Sequence, residues 1–400
     1  MLRIIFAVGV WFVASGQLLA EQPIEVTYIG RATWSGTAKD LSGLTDTLED
    51  GSEHNRLGGL GSGIAWSGRA DRYVMISDRG AGDGAVSYRC RFHEVAVRIN
   101  PDQPQPVTWE VVKTTLISGP DREPLIGLAS ALPEGTPGRP QRFDPEAIRV
   151  SRENHVLITD EYGPSLIEFD LDGNWVKDWK LPEGFQVAHP AGLPEMELPP
   201  HNTSGRQANR GAEGFAITPD GQTLVILMQG PLIQDGALDA NGKRRGKVVR
   251  LVTIDRTTGQ SAQYAYVLES AAFGLNEIEA LSNQEFLVIE RDSKGGEKAA
   301  FKRIARIDIA AATPIDSQTV FSDGELPDSI RPVEKSWLID LLDPRWGLAG
   351  EDFPEKTEGV ALGPMLPDGR RSLLITSDND FQSEVPTRVD MFALRGVSAP

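Results

Sequence analysis

A similar stretch of sequence recurs five times along the 400-residue chain. Each copy has a short apolar run, a turn rich in Gly, Asn, Asp or Ser, and a second run of β-branched residues that ends in polar residues. Turn signals such as "PDG" between apolar runs mark β-hairpins. The copies are "SGIAWSGRADRYVMISDRG" (62–80), "PEAIRVSRENHVLITDEYG" (145–163), "AEGFAITPDGQTLVILMQG" (212–230), "NEIEALSNQEFLVIERD" (276–292) and "TEGVALGPMLPDGRRSLLITSDND" (357–380).

The first copies continue into two more strand-like segments. "HEVAVRI" and "VTWEVVKTTL" follow the first copy, and "SLIEFDLDG" and "WVKDWKL" follow the second. Units of four antiparallel strands that repeat in this way are typical of the blades of a β-propeller. The last unit ends after "TRVDMFAL", and "IEVTYIGRATW" near the N-terminus could supply its missing outer strand. Such closure would remove free sheet edges.

The repeat therefore predicts an all-β fold: a β-propeller with five readable blades and a ring that an N-terminal strand closes. A sixth blade is possible in residues 310–345, where "EKSWLIDLLD" is strand-like but has no assigned place. A pair of β-sandwiches is the alternative, but it does not explain why carboxylates recur at matching positions. We expect a single domain over residues 21–400.

The first twenty residues have the features of a secretory signal peptide. Arg3 precedes the apolar run "IIFAVGVWFVA", and "SGQLLA" leads to Ala20. This apolar run is shorter than the ~20 residues that a membrane-spanning helix needs. An uncleaved anchor is the alternative. We expect cleavage after Ala20, a periplasmic or secreted mature protein, and no later segment that spans a membrane.

The composition argues against several functions. The formal net charge is −17, and such a surface repels nucleic acid because phosphate contacts need Lys and Arg. Cys90 is the single cysteine, so no internal disulfide can form. The sequence has no G-x-S-x-G elbow, no H-E-x-x-H zinc motif and no P-loop. Any catalysis should use carboxylates and arginines, with or without a metal, and we expect a monomer that binds a small molecule.

Acidic residues recur at the same place in each copy. Because the two strands of a hairpin are antiparallel, the start of the first and the end of the second should lie on one rim near the axis. The first strands begin, in chain order, with Ser62, Glu146, Glu213, Glu279 and Glu358. The second strands end with Asp78, Asp160, Gln229, Glu290 with Asp292, and Asp378 with Asp380.

Crowded carboxylates need a partner that neutralises them. Arg79, Arg210 and Arg291 lie within a few residues of the predicted ring and could form salt bridges that lock blade to blade. A hard cation such as Ca²⁺, which binds roughly 6 to 8 oxygen atoms, is the other solution. The sequence leaves both solutions open.

Several of these segments, in the same order, resemble the phytase-like domain, also called esterase-like activity of phytase. They are "SGIAW…YVMISDRG", "DPEAI", "NRGAEGFAI", "QGPLIQDG", "NEIEAL…FLVIERD" and "EGVALGPMLPDGRRSLLITSDNDF", within roughly residues 56–395. The resemblance implies an exported protein and, from the family's name, phosphoester hydrolysis. The chain departs from the pattern at Ser62, which replaces an acid. The candidate site residues that the resemblance implies are Glu146, Glu213, Glu279, Glu358, Asp78, Arg79, Arg210, Asp292 and Asp378.

The leading hypothesis is an exported, metal-assisted phosphoester hydrolase of the phytase or phosphodiesterase kind. In it, Arg79 and Arg210 clamp the phosphate, because guanidinium groups pair with phosphate oxygens in a bidentate way. Glu213 acts as the general base. The alternatives are a non-catalytic propeller that binds a ligand or protein, and a lactonase-like Ca²⁺-dependent esterase. The expected Ca²⁺ ligands are Glu146, Glu279, Glu358, Asp78, Asp292 and Asp378.

Overall fold

A computed structural model describes residues 23–100, 103–132 and 141–398. The predicted signal peptide, residues 1–20, lies outside the described residues. Helical segments are few and short: α1 (Ala81–Gly84) and the 3₁₀ turns Pro194–Glu197, Ile233–Asp235, Gly296–Lys298 and Pro344–Trp346. No helix in the described part of the chain has the length and apolar character needed to cross a membrane.

Strands make up most of the regular secondary structure in the described chain. In chain order they are β1 (Glu25–Trp34), β2 (Leu60–Arg69), β3 (Arg72–Ser77), β4 (Arg91–Ile99), β5 (Val107–Leu116), β6 (Leu125–Ile126), β7 (Gln141–Arg142), β8 (Pro145–Val150), β9 (Val156–Asp160), β10 (Ser165–Phe169), β11 (Trp175–Trp179), β12 (Ala212–Ile217), β13 (Thr223–Met228), β14 (Val248–Asp255), β15 (Ser261–Val267), β16 (Gly274–Ala280), β17 (Glu285–Arg291), β18 (Lys302–Asp308), β19 (Glu334–Asp340), β20 (Lys356–Met365), β21 (Arg371–Asp378) and β22 (Thr387–Arg395).

The sheets confirm a five-bladed propeller. The first four blades are β2–β5, β8–β11, β12–β15 and β16–β19, and the fifth has the order β1-β22-β21-β20. Because β1 pairs with β22, the N-terminal strand closes the ring as predicted. The segment "EKSWLIDLLD" contributes β19, the outer strand of the fourth blade. Residues 309–333 separate β19 from β18 in sequence and conceal this pairing. Because β19 belongs to the fourth blade, the described chain has no sixth blade.

The inner strands β2, β8, β12, β16 and β20 contact one another around the axis. Glycines let them approach closely. A Cβ atom on Gly63 would lie 2.6 Å from the carbonyl oxygen of Glu146, and one on Gly214 would lie 2.9 Å from the amide nitrogen of Ile278. The apolar core fills the space between neighbouring blades, and Cys90 is fully enclosed in it.

One arginine ties the blades together on the axis. Arg149 of β8 donates from Nη1 to the carbonyl of Ile64 at 3.1 Å and from Nη2 to the carbonyl of Val360 at 3.4 Å. Its Nη1 also lies 3.1 Å from the carboxylate of Glu277, which accepts a hydrogen bond from the amide of Phe215 at 3.0 Å. These residues come from all five blades. We call the cluster that they form on the axis the axial plug.

Candidate functional site

A cavity of about 260 Å³ lies where the inner strands begin. We call it the axial cavity. Its wall combines carboxylates, cations and amides from all five blades. The charged and amide side chains are Asp78, Arg79, Asp83, Glu146, Glu161, Asn209, Arg210, Glu213, Gln229, Arg244, Asn276, Arg291, Glu355, Lys356, Glu358 and Asp380.

β-Bulges aim the acidic side chains of the inner strands. The strand register shifts between Pro145 and Ile148 in β8, between Ala212 and Gly214 in β12, and between Thr357 and Val360 in β20. A bulge leaves a residue outside the regular ladder and redirects its side chain. The residues that the bulges place on the cavity wall are Glu146, Glu213 and Glu358.

The fourth blade corrects the predicted alignment. Its bulge lies between Leu275 and Ile278, so the residue equivalent to Glu213 is Asn276. Asn276 lines the axial cavity, whereas Glu279 lies three positions further along the strand. Glu279 contacts Arg149 of the axial plug at 3.0 Å. The alignment of Glu279 was wrong because a run of apolar residues does not reveal where a bulge interrupts it.

The residue predicted at the end of the second strand is also displaced in the second blade. Asp160 pairs with Pro145 inside the ladder and accepts hydrogen bonds from the backbone amides of Asp144, Tyr162 and Gly163. The next residue, Glu161, lines the cavity instead. Counting back from the glycine of "SDRG" and "DEYG" places Asp78 and Glu161 at the same position. That glycine spacing was the signal that could have identified Glu161.

Three buried glutamates form the acidic centre of the cavity. Glu146, Glu161 and Glu213 each offer an oxygen within 4.8 Å of the others. Gln229 Nε2 and Asn276 Nδ2 both donate to Glu213 Oε1 at 2.7 Å. Among the described residues, Glu213 Oε2 has no hydrogen-bond partner. We call these three residues the carboxylate trio.

The trio lacks sufficient positive charge. Burial, reinforced by the charge of Glu213, raises the pKa of Glu146 well above its usual value. Burial and the charge of Glu161 do the same to the pKa of Glu213. Within the trio, only Glu161 has a described cation at ion-pair distance, since Arg79 Nη1 lies 3.4 Å away. Closely spaced carboxylates therefore share a site that favours either protons or a bound cation.

Other acids around the cavity are neutralised by salt bridges. Lys356 Nζ lies 2.8 Å from Asp380 and 3.5 Å from both Asp78 and Asp378. Arg291 donates to Glu358 at 2.7 Å. Salt bridges thus neutralise the acids of the fifth blade and its neighbours, whereas the negative charge of the carboxylate trio stays uncompensated.

Arg79 is held mainly by acids. Its guanidinium contacts Asp144, and it lies 3.0 Å from Asp83. It also donates to the side-chain oxygen of Asn209. Arg79 therefore has little capacity left for a ligand.

Arg210 is different from the other cavity cations. Its Nη2 donates to the carbonyl oxygens of Phe273 and Gln229, and no carboxylate among the described residues lies within ion-pair distance. Burial, together with the charge of Arg244, lowers its pKa to about 9. A guanidinium buried without a counter-ion is suited to bind an anion.

Two more predicted metal ligands lie outside the cavity wall. Asp292 contacts Lys302 at 3.1 Å and accepts hydrogen bonds from the amides of Ala300 and Phe301. Asp378 is buried beside Lys356, and burial raises its pKa to about 7. Of the predicted site residues, the axial cavity brings together Asp78, Arg79, Glu146, Arg210, Glu213 and Glu358.

The chemistry of the trio fits a hard divalent cation. Ca²⁺ prefers carboxylate oxygens, and the trio brings one oxygen from each of three buried glutamates within 4.8 Å of one another. No histidine or cysteine belongs to this group, so zinc, which prefers nitrogen and sulfur, fits less well.

Residues 55–381 match the family described as "Phytase-like: Esterase-like activity of phytase". An uncharacterized secreted protein of Arthroderma benhamiae is 25% identical over 433 residues, which cover 85% of this chain and 82% of the relative.

Two solved structures have a similar arrangement at low TM-score. The PQQ-bound aldose sugar dehydrogenase of Streptomyces coelicolor has a TM-score of 0.38 and 10% identity, over 94% of this chain and 100% of that one. The gluconolactonase XC5397 of Xanthomonas campestris has a TM-score of 0.36 and 10% identity, over 94% and 95%. Likenesses at this level carry no argument about the chemistry of the axial cavity.

Proposed function

The chain belongs to the phytase-like family, esterase-like activity of phytase, and from this premise we propose that it is a metal-assisted phosphoester hydrolase that acts in the axial cavity. One observation supports the proposal above all. A carboxylate trio without enough positive charge and an arginine without a counter-ion line the same cavity. A divalent cation and a phosphate group would satisfy both.

Glu146 and Glu161 would hold the cation. No hydrogen bond from the described residues satisfies Glu146, while the amide of Gly211 fixes Glu161 at 3.0 Å. When bound, a cation such as Ca²⁺ supplies positive charge for phosphoryl oxygens. Arg79 positions Glu161 and Asn209, because its own guanidinium is already engaged.

Arg210 would bind the phosphoryl oxygens. Its backbone contacts leave a buried positive charge that faces the cavity, and guanidinium groups stabilise the charge that develops during phosphoryl transfer. Glu213 would accept the proton of the attacking water at Oε2, since two amide donors already hold Oε1. Each function has its own residue, so the functions can be tested separately.

The test is hydrolysis of p-nitrophenyl phosphate and of bis(p-nitrophenyl) phosphate, with Ca²⁺ and with EGTA. We expect release of p-nitrophenol only with Ca²⁺, and a loss of at least ~100-fold in Glu213→Gln, in line with the contribution of general-base catalysis. The exposed Glu183→Gln is the matched control and should leave the rate unchanged. Absence of hydrolysis with every metal and substrate would overturn the proposal, and acidification of a lactone instead would support the lactonase alternative.

We also propose that the mature protein is secreted. The apolar run that follows Arg3 and the secreted relative support this. N-terminal sequencing of the protein from the culture medium or periplasm should find Glu21 at or near its start. Intact Met1 in a cytosolic fraction would contradict it.

A further inference from the structure

A second cavity, of about 130 Å³, adjoins the axial cavity. Arg79, Asp83 and Asn209 line both cavities, and Arg79 binds the other two, so this side-chain cluster forms the common boundary of the two cavities. We call the second cavity the side cavity. Resting on the proposed function, we propose that the side cavity binds the group that is esterified to the phosphate, and that this group is a single planar ring.

The size of the side cavity sets the first limit. An apolar cavity of about 150 Å³ accommodates a benzene molecule, so about 130 Å³ fits one ring and no more. Small residues form much of its wall, and they leave room without reaching into it. These residues are Ala129, Ala191, Gly192, Pro194 and Ala208.

The polar side of the cavity favours a planar, electron-rich group. The guanidinium carbons of Arg142 and Arg79 lie 4.8 and 5.6 Å from the ring centre of Tyr162. Glu197 is bound by both Arg142 and Arg206, so this set of two arginines and one glutamate keeps one positive charge. The remaining positive charge beside the ring of Tyr162 suits an electron-rich aryl group better than a flexible chain.

Asn209 stands at the junction of the two cavities. Its backbone has a left-handed φ of 55°, a conformation that asparagine adopts more readily than most residues. Its Oδ1 accepts a hydrogen bond from Arg79, and its Nδ2 has no partner among the described residues. This amide can donate to the ester oxygen that joins ring and phosphate.

Binding of two phosphonates tests the inference without turnover. Phenylphosphonate and methylphosphonate carry the same anion, and only the first carries a ring. In isothermal titration with Ca²⁺ present, we expect phenylphosphonate to bind at least tenfold more tightly. Ala191→Leu and Ala208→Leu fill the side cavity, so each should remove that advantage and leave methylphosphonate binding unchanged.

The controls separate the two proposals. The exposed Ala240→Leu should change neither affinity. If methylphosphonate binds but the ring gives no advantage, or if Ala191→Leu and Ala208→Leu weaken both ligands equally, the side-cavity inference is overturned and the hydrolase proposal stands. If neither phosphonate binds wild-type protein, both proposals fall.

Discussion

Three glutamates occupy equivalent bulge positions, yet each has a different electrostatic environment. Glu358 has a guanidinium at 2.7 Å, Glu213 has two amide donors at 2.7 Å, and Glu146 has no described hydrogen bond. Their sequence contexts are alike, because the partners come from other strands and other blades. Residue type and spacing therefore located these acids, but only the fold shows which of them lacks a counter-charge.

The axial plug gives a pH prediction at a single residue. Burial raises the pKa of Glu277 to about 8, against the lowering effect of Arg149, from an ordinary value of about 4.5 in the unfolded chain. A carboxyl group with a raised folded pKa contributes stability at low pH, and that contribution is lost as the pH rises from about 4.5 through about 8.

We therefore expect the free energy of unfolding of the wild-type protein to fall, relative to that of Glu277→Gln, as the pH rises from pH 5 to pH 8. An offset between the two proteins that is the same at every pH does not affect this expectation. Each unit of pKa shift corresponds to about 1.4 kcal/mol, so even one unit is measurable by urea unfolding at several pH values. A difference between the two proteins that does not change with pH would mean that Arg149 keeps Glu277 ionised in the folded state.

At the scale of strands, hydrophobic patterning predicted most of the fold. The five hairpins, the outer strands of the first blades and the closing strand β1 all follow from alternating apolar runs and turn residues. The pattern failed where pairing depends on distant segments. β19 pairs with β18 although residues 309–333 lie between them. No local sequence signal assigns a strand to a blade when so long a segment intervenes.

Bulges limited the prediction of the site in the same way. A bulge shifts the register by one residue and leaves the apolar pattern almost unchanged. The bulge of β16 thus conceals that Asn276, three positions before Glu279, lines the cavity. The axial plug was missed altogether, because Arg149 and Glu277 lie inside apolar strands and meet only when the ring closes.

At the scale of the whole molecule, the ring concentrates acids from several blades around one axis. Salt bridges compensate the fifth blade through Lys356 and Arg291, so the fold does not need a cation everywhere. The trio between the second and third blades is the exception. A cation bound there would stabilise the folded ring, because the unfolded chain has no such site.

This coupling can be measured as a change in melting temperature. At a Ca²⁺ concentration a hundredfold above Kd, binding adds ~2.7 kcal/mol to the free energy of unfolding, so EGTA should lower the melting temperature of wild-type protein by a few degrees and Ca²⁺ should restore it. Mg²⁺ should restore less, because it dehydrates reluctantly.

A matched pair of variants at equivalent bulge positions separates a cation from salt bridges. Glu146→Gln should melt at or above the wild-type temperature in EGTA, since it removes a buried charge from the trio, and it should lose most of the Ca²⁺ response. Glu358→Gln leaves Arg291 without its carboxylate, so it should melt lower both with EGTA and with Ca²⁺ and keep the Ca²⁺ response. If EGTA and Ca²⁺ leave the wild-type curve unmoved, or if Glu146→Gln responds to Ca²⁺ as wild type does, the trio holds no cation and the metal-assisted mechanism is wrong.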